Sequence, residues 1–245
     1  NRILALYIFL LLCGTVSAQQ IVEWSDLQTI TDNSRRTVYY KKGRKQPLRG
    51  KYRIIRGLDE ECVKFSVGMI NGDYRRYRDG VLRESGIYAK GKRNSTFTEY
   101  YQDGVTPRKE TPMQQGKIDG TVKTYFRNGK IEAEKEYKQS VESGRERRFD
   151  SKTGEQIFES HYIDGKKDGE EWEIFEDAST LRSRIIRHYR NGKLDGSYRV
   201  ESTRDGKPYI TIEGQYTDGE KSGQWIEHNY DNNTQTCTWH GEGGA

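Results

Sequence analysis

Apolar and polar residues alternate along short stretches of this chain, with the two-residue period of β-strands. In residues 157–163, Phe158, Ser160 and Tyr162 fall on one face of a strand and the residues between them on the other. Residues 19–245 contain no sustained apolar stripe at i, i+3, i+4 and i+7, the spacing of an amphipathic helix. The pattern therefore predicts an all-β protein.

Asp-Gly and Asn-Gly pairs recur along the chain. They are strong signals for two-residue hairpin turns, because a type I′ turn needs positive φ at both central residues. Many of their glycines belong to two series that advance by 24 to 27 residues, which indicates a repeated structural unit. One series is Gly80, Gly104, Gly129 and Gly154, and the other is Gly120, Gly144, Gly169, Gly196 and Gly223.

Each repeat reads as a strand with an aromatic residue, a turn, and a second strand that closes in Tyr. The closing residues are Tyr88, Tyr137, Tyr162, Tyr189 and Tyr216, with Trp239 the candidate for the last repeat. The first-strand aromatics include Tyr77, Tyr125, Phe149, Trp172, Tyr198 and Trp225. We predict tandem β-hairpins over residues 36–240, laid edge to edge into one elongated, twisted, single-layer antiparallel sheet.

The composition favours a thin sheet rather than a fold with a thick hydrophobic core. Only 32% of the 245 residues are apolar, against ~45–50% in typical globular domains. The chain nevertheless has 17 Tyr, 7 Phe and 4 Trp, too many aromatics for most disordered chains. We expect these rings to supply most of the burial and the 26 glycines to supply the turns.

This pattern resembles the MORN repeat, in particular the bacterial repeat proteins labelled YwqK-like antitoxins. One copy is carried by Asp119-Gly120, Tyr125, Asn128-Gly129 and Tyr137. Two departures are the missing central Gly at residues 178–180 and an insertion around residues 107–112. The resemblance implies a repeat scaffold for protein contacts and, in some relatives, for membrane lipids. It implies no catalysis by the repeats.

The N-terminus has the features of a secretory signal. Asn1-Arg2 precedes ten apolar residues at positions 3–12, and Val16 and Ala18 suit positions −3 and −1 of a cleavage site. Ten residues span ~15 Å as a helix, about half the hydrocarbon core of a bilayer. We predict a signal peptide over 1–18, a lead-in over 19–35, the array over 36–240 and a tail over 241–245. Lipidation of Cys13 stays open as an alternative to cleavage.

If the chain is exported, we expect the mature protein to be periplasmic, attached to the cell envelope, or secreted. We expect no transmembrane segment after the signal peptide is removed. Export also permits a disulfide. Cys62 and Cys237 are separated too widely in sequence to indicate whether they pair. His161, His188, His228 and His240 form no metal-ligand motif, and motifs for nucleophilic catalysis or phosphate binding are absent. We therefore expect no catalytic, metal or cofactor-binding residues and no enzymatic activity.

Basic residues concentrate near the N-terminus. The net charge is +12 over residues 35–93 and −5 over 94–245. Residues 35–56 contain ten bases and no acid: Arg35, Arg36, Lys41, Lys42, Arg44, Lys45, Arg49, Lys51, Arg53 and Arg56. Such a patch favours contact with anionic lipid, acidic polysaccharide or an acidic protein. It is also typical of a sheet end that Lys and Arg protect from aggregation, and the sequence favours this interpretation. Export disfavours nucleic acid as a partner.

The sequence thus predicts an exported, non-enzymatic scaffold that binds an unidentified protein partner in the cell envelope. One alternative is a module that binds anionic lipid or polysaccharide through the basic patch. Another is an antitoxin-like partner-binding protein. Exposed tryptophans would add a carbohydrate platform, for which the candidates are Trp172, Trp225 and Trp239.

Overall fold

The computed structural model describes residues 19–176, 182–204, 207–229 and 233–241. The predicted signal peptide, the departure at 178–180 and most of the predicted tail lie outside the described residues. The chain divides into an N-terminal unit, residues 1–105, and a C-terminal unit, residues 106–245. Each unit is almost entirely β-structure, so the predicted all-β class is confirmed.

In its described residues, the N-terminal unit contains nine strands and one turn of 3₁₀ helix at Trp24–Asp26. The strands are β1 (Gln20–Glu23), β2 (Leu27–Thr31), β3 (Thr37–Lys41), β4 (Gly50–Arg56), β5 (Asp59–Ser66), β6 (Met69–Arg78), β7 (Val81–Ala89), β8 (Lys92–Arg93) and β9 (Thr96–Tyr100). From β4 to β8, successive strands pair antiparallel. Strand β8 has only two residues, and β9 pairs antiparallel with β7 beyond it. The lead-in contributes β1, which pairs parallel to β4.

Strands β2 and β3 form a separate hairpin that packs on one face of the N-terminal sheet. The Tyr39 ring lies 5.0 Å from the Phe65 ring, and Leu48, next to the hairpin, is 4% exposed. The sheet residues Tyr52 and Ile54 are buried as well. The sequence did not indicate this covering hairpin, which gives the first strands of the unit a small two-layer core.

The described ranges of the C-terminal unit contain thirteen strands, named here in chain order. They are β10 (Pro107–Gln114), β11 (Lys117–Ile118), β12 (Gly120–Tyr125), β13 (Ile131–Lys138), β14 (Val141–Phe149), β15 (Gln156–Ile163), β16 (Lys166–Lys167), β17 (Gly169–Glu176), β18 (Arg182–Arg190), β19 (Lys193–Arg204), β20 (Lys207–Thr217), β21 (Glu220–Asn229) and β22 (Thr234–His240). The long strands pair antiparallel with their neighbours along the chain, which confirms the tandem hairpins.

The predicted tight turns occur at some Asp-Gly and Asn-Gly pairs. Both residues have positive φ at Asp79-Gly80, Asp164-Gly165, Asn191-Gly192 and Asp218-Gly219. The same conformation also occurs where the sequence lacks the signal, at Val67-Gly68, Lys90-Gly91, Gln115-Gly116 and Gln139-Ser140. Of the first glycine series, Gly104, Gly129 and Gly154 have positive φ in longer turns.

The second glycine series does not form hairpin turns, and that part of the prediction is wrong. These glycines have positive φ within or at the start of strands, and each lies directly opposite the closing residue of its hairpin. The pairs are Gly120–Tyr137, Gly144–Tyr162, Gly169–Tyr189, Gly196–Tyr216 and Gly223–His240. Because His240 takes the last position, Trp239 does not close the final repeat.

The residue two positions after each of these strand glycines lies in a central row of side chains across the sheet. In the N-terminal unit this row is Tyr52, Val63, Tyr74, Gly86 and Phe97. In the C-terminal unit it is Val122, Lys135, Glu146, Ser160, Glu171, Arg187, Tyr198, Gly214 and Trp225. Rings lie on bare glycine backbone at two places, Phe97 on Gly86 and Trp225 on Gly214. The first-strand aromatics Tyr77, Tyr125, Phe149 and Trp172 lie outside this row.

The acid or amide before a strand glycine has its own structural role. The Asp168 carboxylate accepts a hydrogen bond from the backbone N–H of Asn191, 3.0 Å away in the next tight turn along the chain. The Asn71 side chain accepts one from Lys90 N–H in the same way, also at 3.0 Å. At these two places the bond joins a repeat to the turn of the next, a role for the recurrent acid or amide that is distinct from turn formation.

Replacing Asp168 with Ala should lower the free energy of unfolding by about 1 kcal/mol, because the Asn191 N–H loses its acceptor. Asp168→Asn keeps an acceptor, as Asn71 does naturally, and should lose less than half as much. Urea unfolding followed by circular dichroism measures both. The exposed strand residue Glu132 supplies the control, and Glu132→Ala should change stability by less than about 0.5 kcal/mol. Equal losses in Asp168→Ala and Glu132→Ala would contradict this role.

Candidate functional surface

The ten residues of the predicted basic patch lie in several different environments. Arg36 forms an ion pair with Asp32 at 2.7 Å, and Arg35 lies beside it in the β2–β3 turn. Arg53 Nε donates to Glu60 at 2.7 Å. Six other bases lie around the open end of the β2–β3 hairpin and the start of β4. They are Lys41, Lys42, Arg44, Lys45, Arg49 and Lys51. The ten residues therefore do not form one patch.

Arg56 is separate from the other bases. Its guanidinium stacks on the Trp24 ring, 3.9 Å from the centroid. Both residues line a cavity of about 180 Å³ on the covered side of the N-terminal sheet, together with Ile54, Asp59, Glu61 and Arg76. Burial raises the pKa of Glu61, while Arg56 and Arg76 partly oppose that shift. Since two acids face two arginines, the cavity has no excess charge to select an anion.

The opposite face of the N-terminal sheet, which we call the basic face, gathers four bases. Lys51 and Arg53 alternate along β4 with the buried Tyr52 and Ile54, so they point away from the covering hairpin. The neighbouring strands add Lys64 and Arg75: Lys51 lies directly opposite Lys64, and Cys62 separates Arg53 from Arg75.

The sequence indicated Lys51 and Arg53 as candidates but gave no signal for Lys64 and Arg75. These two lie outside the run of bases, and only the strand register brings them to the same face. Lys51 and Lys64 are like charges at directly opposed positions, an arrangement that costs stability in an isolated sheet. Two acids, Glu60 and Asp73, lie on the same face, and Glu60 is occupied by Arg53.

The C-terminal unit holds a second concentration of charge, buried in its central row. Glu171 is fully buried at the position that Tyr198 and Trp225 occupy in later repeats. Its carboxylate accepts from Arg187 Nε at 2.6 Å and from Lys167 Nζ. Burial alone would raise the pKa of Glu171, but the hydrogen bond from Lys167 and the positive charges of Lys167 and Arg187 outweigh burial. The pKa therefore lies below its usual range.

Glu146 repeats this arrangement one hairpin earlier. Lys135 Nζ and the Arg148 guanidinium each lie 3.0 Å from its carboxylate, and the Tyr162 hydroxyl donates to it at 3.0 Å. Burial opposes ionisation here too, but Lys135, Tyr162 and Arg148 hold the pKa of Glu146 below its usual value. Burial and the adjacent Glu146 raise the pKa of Tyr162 to about 12. Both carboxylates are therefore ionised and fully engaged, as structural groups would be.

The histidines and tryptophans have mainly local contacts. His161 Nδ1 lies 3.1 Å from the Glu170 carbonyl, and His188 Nδ1 lies 2.9 Å from the Ser197 hydroxyl. Within the described ranges no three His, Cys, Asp or Glu side chains are grouped to hold a metal ion. Trp225 is buried and Trp172 stacks with Arg184, whereas Trp239 is 65% exposed.

Neither Cys62, which is half-buried, nor Cys237, which is exposed, forms a disulfide. In the part of the chain that the structure describes, no helix is long and apolar enough to cross a membrane. No model of a known protein family matches this chain, and no curated protein matches it. The MORN-like resemblance therefore stays a prediction.

Replacing Glu171 with Gln should lower the free energy of unfolding at pH 7 by about 3 kcal/mol, because Lys167 and Arg187 lose a buried counter-charge. The Glu171 pKa is lower in the folded state, so the ionised carboxylate stabilises the fold above its unfolded pKa. That contribution disappears as the pH falls through the folded value. The difference between wild type and variant should therefore shrink below about pH 4.

Denaturant unfolding across a pH series measures this difference, with Glu132→Gln as the exposed control. A difference that stays constant between pH 7 and pH 3 would show that the charge of Glu171 does not stabilise the sheet.

Proposed function

We propose that this protein is an exported, non-enzymatic repeat scaffold that attaches to an anionic component of the cell envelope through its N-terminal unit. The observation that carries the proposal is the basic face, where Lys51 and Lys64 lie directly opposite each other in the strand register. Bound phosphate, carboxylate or sulfate groups would relieve that repulsion and use the free donors of both ammonium groups.

The C-terminal sheet provides the contrast. Its bases are matched by acids across the strands, as where Glu134 binds Lys123 at 3.3 Å and Arg147 at 2.8 Å. Such a face has little attraction for a polyanion. The buried pairs around Glu146 and Glu171 stabilise the C-terminal sheet, which supports a structural, non-enzymatic role for these carboxylates.

The test is binding of the purified protein to vesicles of mixed anionic and zwitterionic lipid and, separately, to an acidic polysaccharide. Lys51→Ser/Lys64→Ser should weaken binding at low salt by about 2 kcal/mol, or roughly thirtyfold. The matched control is Lys123→Ser/Arg147→Ser, which removes the same charge from the C-terminal unit and should change affinity less than about threefold. Binding to neither ligand, or equal losses in both variants, would contradict attachment through the basic face.

A protein partner is the second candidate, favoured by exposed apolar side chains in the C-terminal unit. Ile163 is 59% exposed, Val141 44% and Phe175 39%. In-cell cross-linking followed by pull-down at two salt concentrations should then recover one stoichiometric protein that survives high salt. Recovery of lipid or glycan alone would contradict this candidate. An antitoxin-like role requires a cytosolic chain, so cell fractionation tests it.

A further inference from the structure

The cavity of about 180 Å³ on the covered side of the N-terminal sheet contains two opposite charges that do not pair with each other. Arg56 and Asp59 lie directly opposite each other in the register of β4 and β5. The Arg56 guanidinium nevertheless lies on the Trp24 ring, 3.9 Å from its centroid. Among the described residues, Arg56 has no ion-pair partner and the buried Asp59 Oδ1 has no hydrogen-bond partner.

The position of Arg56 suits a bound carboxylate. Stacking on an aromatic ring uses the flat face of a guanidinium, whereas its N–H donors lie in the plane and stay available. A carboxylate can then accept two parallel hydrogen bonds from one edge of the group. The other base of the cavity, Arg76, is engaged elsewhere, because its Nε lies 3.5 Å from the Glu84 carboxylate. Arg56 is therefore the anchor for an anionic group.

The two acids of the cavity suit an ammonium group. Asp59 and Glu61 lie two residues apart on β5, so their side chains point to the same face of the sheet. A buried carboxylate oxygen without a donor costs free energy, and a bound N–H group would remove that cost. Burial also raises the pKa of Glu61, and a cation beside it would favour its ionised form. An ammonium group has three donors, enough to reach both acids.

We propose that this cavity binds a free α-amino acid with a small aliphatic side chain. Arg56 would hold the carboxylate of the ligand, and Asp59 and Glu61 would hold its ammonium group. The aliphatic side chain would contact Ile54, which also lines the cavity.

The size and the charges of the cavity select this class of ligand. The ligand is small, because the cavity is well below the ~300–1,000 Å³ of pockets for drug-sized molecules. It is a zwitterion, because a lone anion would leave Asp59 unpaired and a lone cation would leave Arg56 unpaired. The inference does not depend on the anionic attachment proposed above, which uses the opposite face of the sheet.

A ligand series tests whether both charged groups are needed. Alanine is the probe, propionate lacks its ammonium group, and ethylamine lacks its carboxylate. NMR titration of the purified full chain, followed at the indole N–H signal of Trp24, measures the affinity at this cavity. Loss of that signal in Trp24→Phe assigns it. Alanine should bind with a Kd below about 1 mM, and both analogues should bind at least about tenfold more weakly.

Two substitutions test the anchors of the ligand. Arg56→Gln and Asp59→Asn should each weaken alanine binding at least about tenfold, because each leaves one charged group of the ligand unpaired. Asp73→Asn is the matched control, since Asp73 is exposed on the opposite face of the same sheet. It should change the affinity less than about threefold.

Stability without ligand distinguishes a binding site from an internal ion pair. Asp59→Asn should not lower the free energy of unfolding in urea, because Asp59 Oδ1 has no protein partner to lose among the described residues. A clear loss would mean that Arg56 and Asp59 pair with each other in solution. That loss would overturn the proposal, as would an unchanged Trp24 signal on addition of alanine, or equal binding of alanine and either analogue.

Discussion

The fold depends on the cross-strand relation between a positive-φ glycine and the closing residue of its hairpin. Each such glycine lies opposite a Tyr, Phe or His and places the residue two positions later in the central row, as Gly72 does for Tyr74 and Gly196 for Tyr198. The row contains several of the buried side chains, among them Tyr52, Tyr74, Glu171 and Trp225. Where the row position is a glycine, a ring from a neighbouring strand lies over the bare backbone, as Trp225 does over Gly214.

The central row also explains how so polar a chain supports an extended sheet. Its aromatic members provide hydrophobic burial near Tyr74 and Trp225, while Glu146 and Glu171 take the same position in the middle of the C-terminal unit. A carboxylate at a core position is tolerated because cations and a tyrosine hydroxyl surround it. Charges inside the sheet are thus structural, whereas the opposed lysines of the basic face are available to a ligand.

The sequence was sufficient to predict the β-class, the hairpin repeat and the positive φ of its glycines, because these depend on local conformational preferences. It could not separate the two roles of an Asp-Gly pair: Asp164-Gly165 makes a turn, whereas Asp168-Gly169 fastens a repeat to the next. That distinction depends on strand register. The same limit applies to the candidate site. Lys51 was visible in a run of bases, but its neighbour Lys64 becomes recognisable only when β4 and β5 are paired.

The central claim is that buried charge in this sheet is structural and ionised. Measuring the carboxyl carbon shifts of Glu146, Glu171 and Glu61 by NMR through a pH titration tests it most directly. We expect the pKa values of Glu146 and Glu171 to lie below that of an ordinary glutamate and the pKa of Glu61 to lie above it. A pKa for Glu171 at or above the ordinary value would contradict the account. It would mean that Lys167 and Arg187 do not neutralise this buried carboxylate in solution.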